Sequence, residues 1–122
     1  MTEPTLNARL EIDEREYHMI AVFLENAVSI YIYEETPKLG TLAISVPSTD
    51  IMLASTLYVS GSSDAHFVRM LGERFATRFQ KLVLLSLCLQ ETSNELILKI
   101  MQQVENIIVE EKRKNSERDN NP

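Results

Sequence analysis

Apolar residues recur at every second position up to about residue 60, and at every third or fourth position over most of the chain beyond it. This change of period, from that of a strand to that of a helix, restricts the chain to few architectures. Leu6, Ala8, Leu10 and Ile12 alternate with polar neighbours and predict a first strand, after a loose stretch over residues 1–5. YHMIAVFL (Tyr17–Leu24) is β-branched and aromatic and reads as a second strand, apolar on both faces. Glu25-Asn26-Ala27 has hairpin-turn length. VSIYIY follows as a third strand, then a turn, EETPKLG, holding Pro37 and Gly40, and a fourth strand, TLAISV. Pro47, which has no N–H to give a ladder, closes the fourth strand, and STLYV (Ser55–Val59) is a fifth.

SGSSD (Ser60–Asp64) then offers hydroxyl and carboxylate helix caps. Phe67, Leu71, Phe75 and Phe79 fall four apart, joined by Val68 and Ala76, and predict one apolar stripe on a helix of about 15 residues. LVLLSLCL (Leu82–Leu89) is a continuous apolar run, the pattern of a central strand buried on both faces. Thr92-Ser93-Asn94-Glu95 has capping-box spacing. Leu96, Ile100, Val104, Ile107 and Ile108, widened by Ile97 and Met101, form the apolar side of a second helix. Past about Glu111 apolar residues cease, which predicts a disordered tail over residues 113–122 beyond a single domain of residues 1–112. The expected fold is therefore α+β: a six-stranded, mainly antiparallel sheet in the order βββββαβα, with two amphipathic helices on one face.

Two helices cover one face of such a sheet, so the other face needs an account. With the third and fourth strands paired as a hairpin, Ile30, Ile32, Leu42, Ile44 and Val46 share one face, and the helices are expected there. Ser29, Tyr31, Tyr33 and Ala43 then face outward, and Tyr17, Met19 and Phe23 of the second strand are assigned to the same surface. That set is too apolar and aromatic for a freely wetted surface, and tyrosine suits a protein interface. These seven residues are the expected partner interface, packing against a second sheet.

Charge and chemistry narrow the function. The net charge is −6, and the excess lies in the first half: residues 1–60 hold nine acids and three bases, residues 61–122 nine of each. Such a balance repels phosphate backbones, so nucleic acid is not an expected partner. No apolar run reaches the length of a membrane span. An acidic N-terminus without an apolar core and a lone Cys88 point to the cytoplasm or nucleus. His18 and His66 are the only histidines, no HxxxH or CxxC spacing occurs, and three glycines leave little for a phosphate loop. No catalytic residue, cofactor site or metal site is expected. An enzyme built on His18, Cys88 and a loop carboxylate such as Glu34 or Glu35 would need those groups within hydrogen-bond reach. The first helix is the one locally basic element. Arg69, Arg74 and Arg78 offer a docking patch for an acidic protein surface, or merely its solvated outer side.

Several stretches together resemble the proteasome assembly chaperone 4 family: SIYIY followed by LGTLAISV, STLY before a Ser/Gly/Asp loop, LGERFATRFQKLVLLSL, and the acid/Thr/Ser/Asn opening of the last helix. The resemblance runs from about Tyr17 to Lys112. Where family members can carry Trp and Gly at the end of the third strand, this chain has Tyr33 and Glu34. The resemblance implies a non-enzymatic chaperone that forms a heterodimer with a proteasome assembly chaperone 3-like protein. The pair helps alpha-type subunits, notably alpha-5, into the alpha ring of the 20S core particle. A roadblock- or profilin-like scaffold for a GTPase or cytoskeletal complex is the alternative, since small α+β sheets serve many such roles.

Overall fold

The computed structural model describes residues 4–61 and 64–120, with side chains described as far as Lys114 at the C-terminal end. Strands β1 (Thr5–Ile12), β2 (Arg15–Phe23), β3 (Ala27–Tyr33), β4 (Thr41–Val46) and β5 (Ser55–Ser60) precede helix α1 (Ala65–Phe79), strand β6 (Leu82–Cys88) and helix α2 (Asn94–Asn120). One sheet takes all six strands in the spatial order β1-β2-β3-β6-β4-β5. Every neighbouring pair is antiparallel except β3 and β6, which run parallel. The α+β class and the element order agree with the periodicity of the sequence.

The strand ends follow local rules. Ile12 pairs with Arg15, leaving a two-residue turn in which Asp13 and Glu14 both have positive φ. That mirror-image turn matches the twist of the strands it joins. Lys99 of α2 holds the Asp13 carboxylate at 2.9 Å, clamping the turn to the helix layer. At the β2–β3 turn, Leu24 N–H donates to the Ala27 carbonyl at 2.8 Å, which closes the predicted hairpin.

The β3–β4 connection departs from expectation. These strands do not pair: β6 lies between them, and residues 34–40 arch over its end. The N–H of Gly40 donates to Ser86 Oγ at 2.9 Å, and a Cβ on residue 40 would collide with the Leu87 carbonyl. Only glycine allows so close a crossing.

Helix α1 packs on β4, β6 and β5, and α2 packs on β1 and alongside α1. Small residues let α1 settle closely. Thr41, Ala43 and Ser45 of β4 face it, and a Cβ on Gly72 would lie 2.6 Å from Ser45 Oγ. The buried Ser45 hydroxyl bonds Thr56 Oγ1 at 3.1 Å, and Thr56 in turn donates to the Glu73 carboxylate on α1. The core between sheet and helices is built from Leu10, Tyr17, Met19, Ile30, Ile32, Leu85 and Leu87 below, and Leu71, Phe75, Ile97, Ile100 and Ile108 above.

Helix starts and stops refine the sequence reading. Ser62 and Ser63, within the predicted α1 cap, lie outside the described residues. Asp64 occupies the cap position without a side-chain cap bond, and its carboxylate instead accepts from Thr92 Oγ1 at 3.0 Å. Ser93 caps α2 by accepting from the Leu96 N–H at 3.1 Å. Helix α2 then continues to Asn120, through most of the segment predicted to be a disordered tail; residues 121 and 122 lie outside the described residues. No glycine or proline interrupts it before Pro122, its charged residues are good helix formers, and Arg113 pairs with Glu110 one turn earlier.

Candidate functional site

The two faces of the sheet follow from the register. Ile30, Leu85 and Ala43 stand side by side under the helices; Tyr31, Ser86 and Leu42 stand side by side on the face away from them. The interface residues read from sequence therefore divide. Ser29, Tyr31 and Tyr33 are on the open face, each partly exposed. Tyr17, Met19 and Ala43 are not: they are 2%, 1% and 0% exposed, inside the core. Phe23 shares their side of β2 and packs against the core. For Tyr17, Met19 and Phe23 the reason is the β2–β3 register, which sets Met19 level with Ile32 and Phe23 level with Val28; for Ala43 it is the inserted strand. Direct β3–β4 pairing was expected to put Leu42 on the face of Ile30 and Ile32, but across β6 Leu42 is level with Tyr31, and a one-residue change flips every side chain of β4.

The open face is consequently more apolar than the sequence predicts. One row crosses it as Val22, Ser29, Leu84, Ile44 and Tyr58, and the next as Ile20, Tyr31, Ser86, Leu42 and Ser60. On the β1 side the band ends in charge, with Arg9 at 3.3 Å from both Glu11 and Glu16. The 34–40 connection covers one end of the face. A shallow hollow of about 310 Å³ lies there between Ile20, Tyr31 and Tyr33 and the loop's Pro37, Lys38 and Leu39. Glu34 anchors the loop: Arg15 holds one carboxylate oxygen at 2.7 Å and the Gln90 N–H donates to the other at 2.6 Å.

The polar and aromatic groups on this surface are engaged with one another. His18 stacks on Tyr33 with ring centroids 5.3 Å apart. Cys88 pairs with Tyr33 from the other side, so His18 and Cys88 stand two strands apart, about 10 Å. That is beyond the reach of a nucleophile–base pair. Glu34 and Glu35 are engaged by Arg15 and Gln90. Among the described residues no group of three or more His, Cys, Asp or Glu could hold a metal, and no helix is long and apolar enough to cross a membrane.

The basic residues of α1 lie on the other side of the molecule. Arg74 and Arg78 converge on one carboxylate, Glu105 of α2, at 2.9 and 3.9 Å. Arg69 is exposed on the same helix. Lys112 of α2 sits over the Phe79 ring, 5.3 Å from its centroid. Partial desolvation lowers its pKa from the ordinary lysine value, and the neighbouring charges of Lys81 and Arg78 lower it further.

No family model matches this chain. No curated protein matches it either. Among solved structures, it is similar to a chain of a crystal structure described as a novel chaperone complex for yeast 20S proteasome assembly. The TM-score is 0.68 over 91% of this chain and 98% of that one, at 13% sequence identity. The likeness is one of fold.

Sequence reasoning missed Ile20, Val22, Leu42, Ile44 and Leu84 as open-face residues. One signal was present. Thr41, Ala43 and Ser45 are small, as are Gly72 and Ala76, and small residues on a strand and a helix mark a close helix–sheet contact.

Proposed function

We propose that this protein is a non-enzymatic subunit of a proteasome assembly chaperone. It pairs through its open sheet face with a related small chaperone of the proteasome assembly chaperone 3 type, and the pair promotes assembly of alpha-type subunits, notably alpha-5, into the alpha ring of the 20S core particle, in the cytoplasm and nucleus. The observation that carries the reading is the uncovered apolar band through Ile20, Tyr31, Leu42, Leu84 and Ile44 on a fold shared with a chain of the yeast complex. A continuous apolar surface of this kind marks a partner site. The stretches that resemble the assembly chaperone 4 family, SIYIY, LGTLAISV and LGERFATRFQKLVLLSL, point the same way as the fold.

The test is co-expression with the related chaperone, read by native mass spectrometry. Wild-type chain is expected to form a one-to-one complex. Tyr31→Asp with Ile44→Asp is expected to abolish that complex while circular dichroism of the isolated chain stays the same. Wild-type affinity in the double variant refutes the assignment of the face.

A further inference from the structure

The most exposed apolar side chains are on neither the open face nor a helix. Ile51 and Leu53, 94% and 86% exposed, are at the tip of the β4–β5 connection, with Met52 between them at 63%. The tip is held in shape. Thr49 Oγ1 accepts from the N–H groups of Ile51 and Met52 at 3.3 and 2.9 Å, and the Thr49 N–H donates to the Met52 carbonyl at 2.6 Å. Three large apolar side chains are thus displayed on a fixed turn, against the usual tendency to bury them.

This connection reaches α1 at the Ser48 N–H, which donates to Thr77 Oγ1 at 3.5 Å. Thr77 lines a hollow of about 230 Å³ together with Arg74 and Arg78. The apolar turn therefore adjoins the basic end of α1. Within that end, two arginines share Glu105. Lys81 spends its ammonium on the Leu24 carbonyl at 3.2 Å, and Lys112 feels the like charges of Lys81 and Arg78. Arg74, Arg78, Lys81 and Lys112 outnumber Glu105 and the turn's own Asp50, a local surplus of positive charge beside an apolar tip in a chain of net charge −6.

We propose that the 49–53 turn and the C-terminal half of α1 form a docking surface for an acidic segment of a protein partner that also carries large apolar side chains. Complementary charge sets the register of such a segment and speeds its encounter, while the turn provides the apolar contact. A nucleic acid is a poorer fit: an extended phosphate backbone needs a long basic track, and residues 1–60 carry nine acids against three bases. Because α1 lies on the helix side of the sheet, this corner stays free when the open face is covered. On the proposed assembly role, it is where an assembling subunit binds while the paired chaperone occupies the sheet.

The experiment titrates the full ¹⁵N-labelled chain with a synthetic amphipathic peptide of Glu and Leu, followed by amide shifts. Shifts are expected at Thr49–Leu53 and Thr77–Lys81. Replacing the peptide's Glu by Gln, or its Leu by Ser, should weaken binding. Ile51→Ser with Leu53→Ser, and separately Lys81→Glu, should each weaken it by about tenfold, and Tyr31→Asp should not. The proposal is overturned by shifts confined to the open face, or by binding indifferent to these variants. Equal binding of the Ser-for-Leu peptide and of heparin would mean a general polyanion site and overturn it too. So would loss of pairing with the related chaperone in the Ile51→Ser/Leu53→Ser variant, since the turn would then belong to that interface. If the wild-type chain pairs with no related chaperone at all, the assembly role fails, while the peptide titration still decides on the corner.

Discussion

A single methyl group at residue 40 would meet the backbone of Leu87, because the chain there crosses the end of a strand it does not pair with. Backbone cannot give way as the end of a side chain can. Gly40→Ala is therefore expected to lower stability by about 2–3 kcal/mol, measured by urea denaturation. Tyr17 makes a different residue-scale prediction. Burial, opposed by Arg15 and reinforced by Glu34, Asp13 and Glu91, raises its pKa above 10.0. The fold thus favours the neutral phenol. Its contribution to stability is complete below about pH 10 and falls as pH climbs through the raised value, where the unfolded chain ionises first. Denaturation midpoints followed into that range should drop for wild type and drop less for Tyr17→Phe. Tyr17 also shows a limit of residue-level reading. A tyrosine in an amphipathic strand is equally at home at an interface or in a core, and only its neighbours in the sheet decide.

At the scale of elements, the chain announces most of what it builds. Strand alternation, the four-residue spacing of Phe67, Leu71, Phe75 and Phe79 and the continuous run of β6 each carry their own pattern, so their positions were legible to within a residue or two. Ser93 shows how local chemistry sets a boundary: its hydroxyl takes up the Leu96 N–H, and Ser93→Ala is expected to cost about 1 kcal/mol in thermal or urea unfolding. What was not legible is which strands become neighbours. EETPKLG reads as a hairpin turn, and nothing within it shows that β6 will enter the gap. That insertion reverses β4, puts Ala43 in the core and brings Leu42 and Ile44 out. The C-terminal end of α2 was missed for the converse reason. Lack of apolar residues removes the signal for packing, yet Glu, Lys and Arg sustain a helix by propensity and by pairs such as Glu110–Arg113.

Across the whole molecule, the sheet divides the surface into two regions of different chemistry. The open face is an apolar band edged by the charges of β1; the opposite side combines the basic end of α1 with the apolar turn at 49–53. On the proposed roles the two are occupied together, so variants of one should leave binding at the other intact, and Tyr31→Asp against Ile51→Ser/Leu53→Ser is the pair that tests this separation. The central position of β6 has a consequence for the order of events when the chain is made. Synthesis of the first 81 residues yields a β1–β2–β3 meander and a β4–β5 hairpin that have no ladder between them. Both flank a vacancy whose occupant is yet to emerge, and α1 must already be out to let it arrive. Completion of the sheet consequently waits for long-range pairing by β6, and a nascent chain stalled before Leu82 would expose two raw strand edges to whatever else is in the cell.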